Sequence, residues 1–299
     1  MIKVENLSKN FDDYKALDNI SLHVNKGSIY GLVGPNGAGK TTLIKHLTGV
    51  YQQQKGKVFI NDELVYENNK AKEKLAYIPD ELHFFSNHTI NKMAKFYKKT
   101  FPTWNQERYE KLKDVFGIDE NKKINQLSKG MKKQVAFWLN ISYMPEVMIL
   151  DEPVDGLDPV MRKKVWNLLI QDVAERQMTV LVSSHNLREL EDICDYVGIM
   201  NTGQLLIEKE IDDLKSDIYK IQIAYKDKFP ENIIEEKHIL HKEDRGSISV
   251  LILKGKREET IKKIEASNPA ILDVLPLTLE EIFIYEMRGA GYEIKEIIL

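Results

Sequence analysis

Residues 34–41 read GPNGAGKT. They follow an apolar run, SIYGLV, and open a helical pattern, KTTLIKHLTGV. A strand, a glycine-rich turn and a helix in that order form a P-loop, G-x-x-x-x-G-K-[ST], and few folds present one. Backbone N–H groups of such a loop point inward and cradle phosphate oxygens, and the helix N-terminus adds the positive end of its dipole. Lys40 is placed to reach the β- and γ-phosphates of a nucleotide, and the Thr41 hydroxyl to ligate Mg²⁺. Chance alone supplies this pattern in roughly one chain of this length in a hundred, on average residue usage. The expected phosphate-binding residues are therefore Gly34, Pro35, Asn36, Gly37, Ala38, Gly39, Lys40, Thr41 and Thr42.

The rest of the pattern fits an α/β core. VMIL and TVLVSS are continuous apolar runs, as expected of parallel strands buried on both faces, and PVMRKKVWNLLIQDVAERQ between them reads as a helix. IKVENL, ISLHV and KVFIN read as short strands near the N-terminus, and YVGIM-NTG-QLLIE as a hairpin turning at Asn201–Gly203. Residues from about 81 to 145 are mostly helical by pattern. Near residue 217 the style changes: IYKIQIAY and SISVLILKG read as strands, REETIKKIEA as a helix and TLEEIFIYEMRG as a terminal helix. The last eighty or so residues suffice for a small α+β domain.

Two carboxylates follow the VMIL strand, in ILDEP. Asp151 is placed to hold a Mg²⁺ shell. Glu152 is placed to orient and deprotonate an attacking water, help worth ~10²–10⁴-fold when a base is well aimed. His185 follows TVLVSS, and parallel strands present their C-terminal ends on the edge where ligands bind. LSKGM, residues 127–131, precedes the amphipathic run KKQVAFWLNISYM, so Ser128 reads first as a helix N-cap.

The charge balance narrows the functional classes. A net charge of −3 over 299 residues gives no global attraction to nucleic acid or to an anionic membrane. The single cysteine, Cys194, permits no internal disulfide and fits a reducing cytoplasm. MIKVENLSKNF lacks the apolar segment of a signal peptide. Uncharged stretches run to about a dozen residues, short of the ~18–20 that span a bilayer.

The P-loop, LSKGM, ILDEP, DGLD and His185, in this order and spacing, resemble the ATP-binding cassette of an ABC transporter, over roughly residues 1–217. Within that family, LSKGMKKQVAFWLN and the run from DPVMRKK to EDICD resemble the subunits of bacterial exporter-like systems. The fold implied is α/β: a P-loop NTPase (RecA-like) core with an antiparallel β subdomain and a helical lobe at about 81–145. A small C-terminal α+β domain, 218–299, is added as an accessory or dimer-stabilising piece.

The resemblance also implies roles. Two cassettes pack head to tail, and each ATP lies between the P-loop of one and the signature, here Ser128, Lys129 and Gly130, of the other. Phe11 fits the position of the adenine-stacking aromatic better than Tyr14. Asp158 matches the aspartate that organises the dimer seam. Glu152 and His185 are the expected catalytic residues, and Thr41 and Asp151 the expected Mg²⁺ ligands. Two positions depart from the family pattern. Asp80 stands where glutamine is usual and reads either as a further Mg²⁺ ligand or as a turn cap. Lys129 stands where glycine is commonest, so the backbone there is either ordinary or strained. His83, Phe84 and Phe85 suit a contact with a permease, or the phenylalanines are core. Trp104, Trp138 and Trp166 read as core.

The implied partners are separate transmembrane permease subunits and a second cassette, of the same or a different chain, with no nucleic acid. The implied location is cytoplasmic, peripheral on the inner face of the membrane. A soluble ABC ATPase of ribosomes or DNA usually carries two cassettes or a long coiled coil, and neither appears. A non-catalytic ATP sensor is at odds with intact Lys40, Asp151, Glu152 and His185.

Overall fold

The computed structural model describes residues 1–225, 234 and 238–289, so the far end of the expected 218–299 domain lies outside them. The chain divides into two compact units, Met1–Asn186 with Ile193–Glu208, and Leu187–Asp192 with Lys209–Leu299.

In chain order the elements are β1 (Ile2–Phe11), β2 (Tyr14–Val24), β3 (Ile29–Val33), α1 (Lys40–Leu47), β4 (Lys55–Ile60), β5 (Glu63–Leu64), α2 (Asn69–Glu73) and β6 (Leu75–Ile78). Three helices follow: α3 (Ile90–Thr100), α4 (Gln106–Phe116) and α5 (Lys129–Ser142). Then come β7 (Val147–Asp151), α6 (Pro159–Arg176), β8 (Thr179–Ser184), α7 (Leu187–Leu190), β9 (Tyr196–Asn201) and β10 (Gln204–Glu210). The remainder is α8 (Ile211–Asp217), β11 (Ile218–Ala224), β12 (Ile239–Arg245), β13 (Ile248–Lys254), α9 (Arg257–Glu265), β14 (Ile271–Leu275) and α10 (Leu279–Gly289).

The central sheet has the order β10-β9-β3-β8-β7-β6, and β9, β3, β8, β7 and β6 pair in parallel. Every residue of β3, β7 and β8 is buried, which is why these strands read as unbroken apolar runs. Parallel pairing brings their C-terminal ends to one edge. The P-loop leaves the sheet there after β3, Glu152 after β7, His185 after β8 and Asp80 two residues beyond β6.

A second, antiparallel sheet has the order β2-β1-β4-β5. Its inward residues, among them Ile2, Val4, Leu22 and Val58, join Leu32, Leu43 and Leu47 in one core, so the P-loop helix α1 packs between the two sheets. The β1–β2 hairpin sets Phe11 opposite Tyr14.

The helical lobe is made of α3, α4 and α5. Thr89 Oγ1 accepts the Lys92 N–H at 3.2 Å to cap α3, and Asn105 Oδ1 accepts the Arg108 N–H at 2.9 Å to cap α4. The helices begin at Ile90; residues 81–88 form none, and the lobe is helical only beyond that cap. Trp138 is wholly buried, stacks on Tyr109 with ring centroids 4.8 Å apart, and donates through Nε1 to the Tyr109 carbonyl at 2.9 Å. Trp166 is also buried, whereas Trp104 is half-buried and donates to Gln106. The lobe is tied to α6 by the buried Asp172, whose carboxylate meets Arg108 of α4 and, at 2.9 Å, Arg176.

In the second unit the sheet β12-β13-β11-β14 is antiparallel. Tyr219, Ile221, Ile223, Leu251, Leu253 and Ile264 of α9 form its core. Alternation puts Lys220 on the opposite face, where it pairs with Glu281 of α10 at 2.8 Å.

Candidate functional site

The P-loop takes its shape from its glycines. Gly39 enters α1 with φ 100°, and a Cβ there would lie 2.8 Å from the Ala16 carbonyl oxygen. Only glycine fits that conformation and that approach. Lys40 is buried; its Nζ donates to the Gly34 carbonyl at 2.6 Å and lies 3.8 Å from Glu152 Oε1. Burial lowers the Lys40 pKa, and Glu152 and Asp151 oppose that shift. Residues 35–42 line a cleft of about 300 Å³ together with Tyr14, Ala16, Asp80, Asp151 and Glu152.

Asp151 ends β7 and is 2% exposed. Its Oδ2 accepts from Thr41 Oγ1 at 3.0 Å, and its Oδ1 accepts from Ser183 Oγ at 2.6 Å. The sequence reading missed Ser183. Its signal was present, two serines ending the apolar run TVLVSS, but only the β7–β8 register, Asp151 opposite Ser183, shows which carboxylate it serves.

Among the described residues no three acidic, histidine or cysteine side chains converge on a metal cage. Thr41 and Asp151 still fit Mg²⁺, which characteristically takes one or two protein ligands and completes its octahedron with water and phosphate oxygens.

Glu152 adopts a left-handed backbone, φ 45°, unusual for a side chain of this size. Its N–H donates to the Ser183 carbonyl at 3.2 Å. Its Oε2 lies 3.0 Å from His185 Nδ1. Burial raises the Glu152 pKa, with His185 and Lys40 pulling the other way. A carboxylate whose pKa is raised by desolvation at the edge of a cleft marks a candidate functional residue.

Asp80 lines the cleft, and its carboxylate faces two lysines of α5: Lys133 Nζ at 3.5 Å and Lys129 Nζ at 3.8 Å. Lys133, which sequence reading passed over as part of an amphipathic helix, is 0% exposed, and its Nζ also donates to the Glu152 carbonyl at 2.5 Å. Burial together with Asp151 and Asp80 pushes the Tyr77 phenol up to about 12.

The signature residues stand at the head of α5. Ser128 Oγ accepts the Met131 N–H at 3.2 Å, so the serine is the N-cap. Lys129 opens the helix with an ordinary backbone and is 66% exposed. Gly130 packs so tightly that a Cβ would sit 2.4 Å from the Gly156 carbonyl oxygen. None of Ser128, Lys129 or Gly130 forms a wall of its own chain's cleft. Nor does Phe11, whose exposed ring lies edge-on to Tyr51 at 5.8 Å beneath the Lys9 ammonium. Tyr14, placed second by spacing, is the aromatic in the cleft wall, with its hydroxyl 3.4 Å from the Gly37 carbonyl. Asp158 caps α6 through its Oδ1, which accepts from Val160 and Met161 N–H at 3.0 Å.

The family model described as ABC transporter matches residues 17–155. The ABC transporter ATP-binding protein YtrB of Bacillus subtilis is 30% identical over 97% of this chain and 99% of its own length. The bacitracin transport ATP-binding protein BcrA of Bacillus licheniformis is 31% identical over 94% of each. A solved ATP-binding subunit of an ABC transporter has a TM-score of 0.68 and 26% identity, covering 72% of this chain and 92% of that one. The dimeric structure of MJ0796, a bacterial ABC transporter cassette, shares the fold at a TM-score of 0.63 with 20% identity, covering 71% and 99%. With a P-loop and a Walker-type acid pair around one cleft and a capped signature helix outside it, the chain belongs to the ABC transporter family of ATP-binding proteins.

Proposed function

We propose that this ABC ATPase is the ATP-hydrolysing subunit of an exporter and drives separate transmembrane permease subunits. The observation that carries the reading is the convergence of Thr41 with Asp151 and of Glu152 with His185, each at 3.0 Å, beside the P-loop lysine. Thr41 and Asp151 would hold Mg²⁺, which would supply charge neutralisation at the phosphates. Lys40 exchanges its carbonyl partners for phosphate oxygens. Glu152 orients the attacking water and accepts its proton, and His185 holds the carboxylate in place. Tyr14, with Phe11 across the hairpin, supplies the ring that stacks on the base.

A second cassette completes each site, in the manner of the MJ0796 dimer. Ser128, Lys129 and the Gly130 N–H sit at the positive end of α5, where a helix attracts an anion. They do not line their own chain's cleft, and they meet the γ-phosphate held by the partner cassette. The exposed pair Phe85 (53%) and Phe96, edge to face at 5.3 Å, is not core and offers the permease an apolar foothold on the lobe. Among the described residues no helix is long and apolar enough to cross a membrane. The second unit serves as an accessory piece.

Purification from membranes in mild detergent tests the reading. A permease recovered with the chain, and an ATPase rate abolished by Glu152→Gln, are the expected results. Recovery with ribosomes and without a membrane protein would overturn it.

A further inference from the structure

We infer that Lys133 is a positioning residue that fixes the turn carrying Glu152 and ties it, through Asp80, to the signature helix of the same chain. The inference rests on the reading of Glu152 as the base.

Three observations support it. Lys133 is 0% exposed, and its Nζ has two named partners, the Glu152 carbonyl at 2.5 Å and Asp80 Oδ1 at 3.5 Å. An ammonium taken out of water is costly unless hydrogen bonds and opposite charge replace the solvent. Here both replacements come from the turn after β7 and the bend after β6. Glu152 itself sits at φ 45°. A non-glycine residue stays in that region only when its surroundings hold it. Its N–H is held by Ser183 and its carbonyl by Lys133, so the peptide units on both sides of its Cα are fixed.

Lys129 and Lys133 are also four residues apart on α5 and face the same carboxylate. Asp155, beyond Glu152 in the same loop, adds a second negative charge near Lys133. Asp80 and Lys129 are the two positions where this chain departs from the family pattern, and Lys133 shares the Asp80 carboxylate with Lys129. A shift of α5, whose first turn would meet the nucleotide of the opposing cassette, therefore moves the donor that aims Glu152 in its own cleft.

Steady-state ATPase kinetics of the full chain separate the possibilities. Lys133→Met keeps the length and fills the space but removes the donor. It should lower kcat ~10²-fold, the loss expected of a small misplacement, with KM for ATP within about threefold. Lys133→Gln, which retains an N–H donor on a shorter and uncharged side chain, should recover only about a tenth of the wild-type kcat. In a Glu152→Gln background, Lys133→Met should cost nothing further, because both changes act on one step. Circular dichroism melts show whether each variant is folded.

A folded Lys133→Met with wild-type kcat overturns the inference. So does a loss of the same size in both backgrounds, which marks a general structural role. If Lys133→Met fails to fold, Lys133→Gln decides: a kcat equal to wild type overturns the inference and a fall in kcat at constant KM supports it. A Glu152→Gln variant that turns over normally instead overturns the assignment of the base.

Discussion

Ser183 Oγ donates to Asp151 Oδ1 over 2.6 Å while Thr41 Oγ1 donates to Oδ2 over 3.0 Å, so both oxygens of the buried acid are fixed by neighbours. Releasing one of them should loosen the carboxylate. Ser183→Ala leaves a buried acceptor without its donor, at ~1–3 kcal/mol of stability. The Mg²⁺ concentration giving half-maximal ATPase should rise by ~10-fold or more, the 10–100-fold cost typical of losing a group that orients a metal ligand. Binding of a fluorescent ATP analogue in the presence of EDTA should stay unchanged. A Mg²⁺ titration that superimposes on the wild type removes Ser183 from this role.

Glu152→Gln should bind Mg-ATP, lose ~10²–10⁴-fold in turnover, and accumulate the ATP-bound dimer, since a ligand of the closed form alone shifts the population toward it. It should also be more stable than wild type at neutral pH. The native Glu152 pKa is raised above its ordinary value, chiefly by burial. A carboxylate of that kind favours folding while protonated and opposes it increasingly as pH climbs through the raised native value. Glutamine mimics the protonated form, so the gain in Tm should be largest at neutral pH and vanish below the ordinary carboxylate range. Equal melting curves for the two proteins at pH 7 refute the burial argument. A gain that persists at low pH assigns the stabilisation to something other than ionisation.

The P-loop, the acid pair and the signature were legible because each is a short motif whose chemistry lives in adjacent residues. Ser183 and Lys133 were not, because their roles depend on which strand pairs with which and on what a helix face meets. A serine in TVLVSS serves Asp151 only when β8 lies beside β7 in the observed register. Lys133 sits in KKQ, which reads as a solvated face until α5 is laid against the turn after β7. The short strand β6 (LAYI) lies between a charged run and Pro79 and gives too few residues for a periodic signal. β12 (ILHKEDR) carries charge at nearly every second half position, being exposed there, and its pattern is that of a loop. The two lysines that Asp80 faces were not legible, because they are about fifty residues away in sequence.

The attachment of the lobe to the core should be brittle at one point. Asp172 is 0% exposed and receives both Arg108 and Arg176. Asp172→Ala leaves two partly buried guanidinium groups without their acid, a loss of ~3–5 kcal/mol when one partner of a buried pair is removed. Urea denaturation should show a midpoint lowered accordingly. Arg108→Met alone should cost less, because Arg176 remains on the carboxylate. A midpoint for Asp172→Ala equal to wild type shows that the hub contributes nothing to holding α4 on α6.

Lys129 has two possible anions, and the structure sets the contest between them. Its Nζ is 3.8 Å from Asp80 of its own chain, and the side chain is 66% exposed. An exposed ion pair of that kind is worth ~0–1 kcal/mol. A charge-assisted contact with phosphate on the opposing cassette is worth ~1.5–3 kcal/mol, about one to two decades in affinity. The lysine should therefore leave Asp80 for the phosphate when two cassettes close. Lys129→Gly in the Glu152→Gln background should keep ATP binding by the single chain and weaken the ATP-bound dimer by about one to two decades. Lys129→Glu should be worse than glycine, and both should flatten the dimer's dependence on salt, since screening acts on the contact they remove. Asp80→Asn removes the competing charge and should strengthen the same dimer slightly. Sedimentation of these variants with ATP at low and high salt reads out all four effects. If Lys129→Gly dimerises as wild type does at both salts, the contact between Lys129 and the opposing phosphate is refuted.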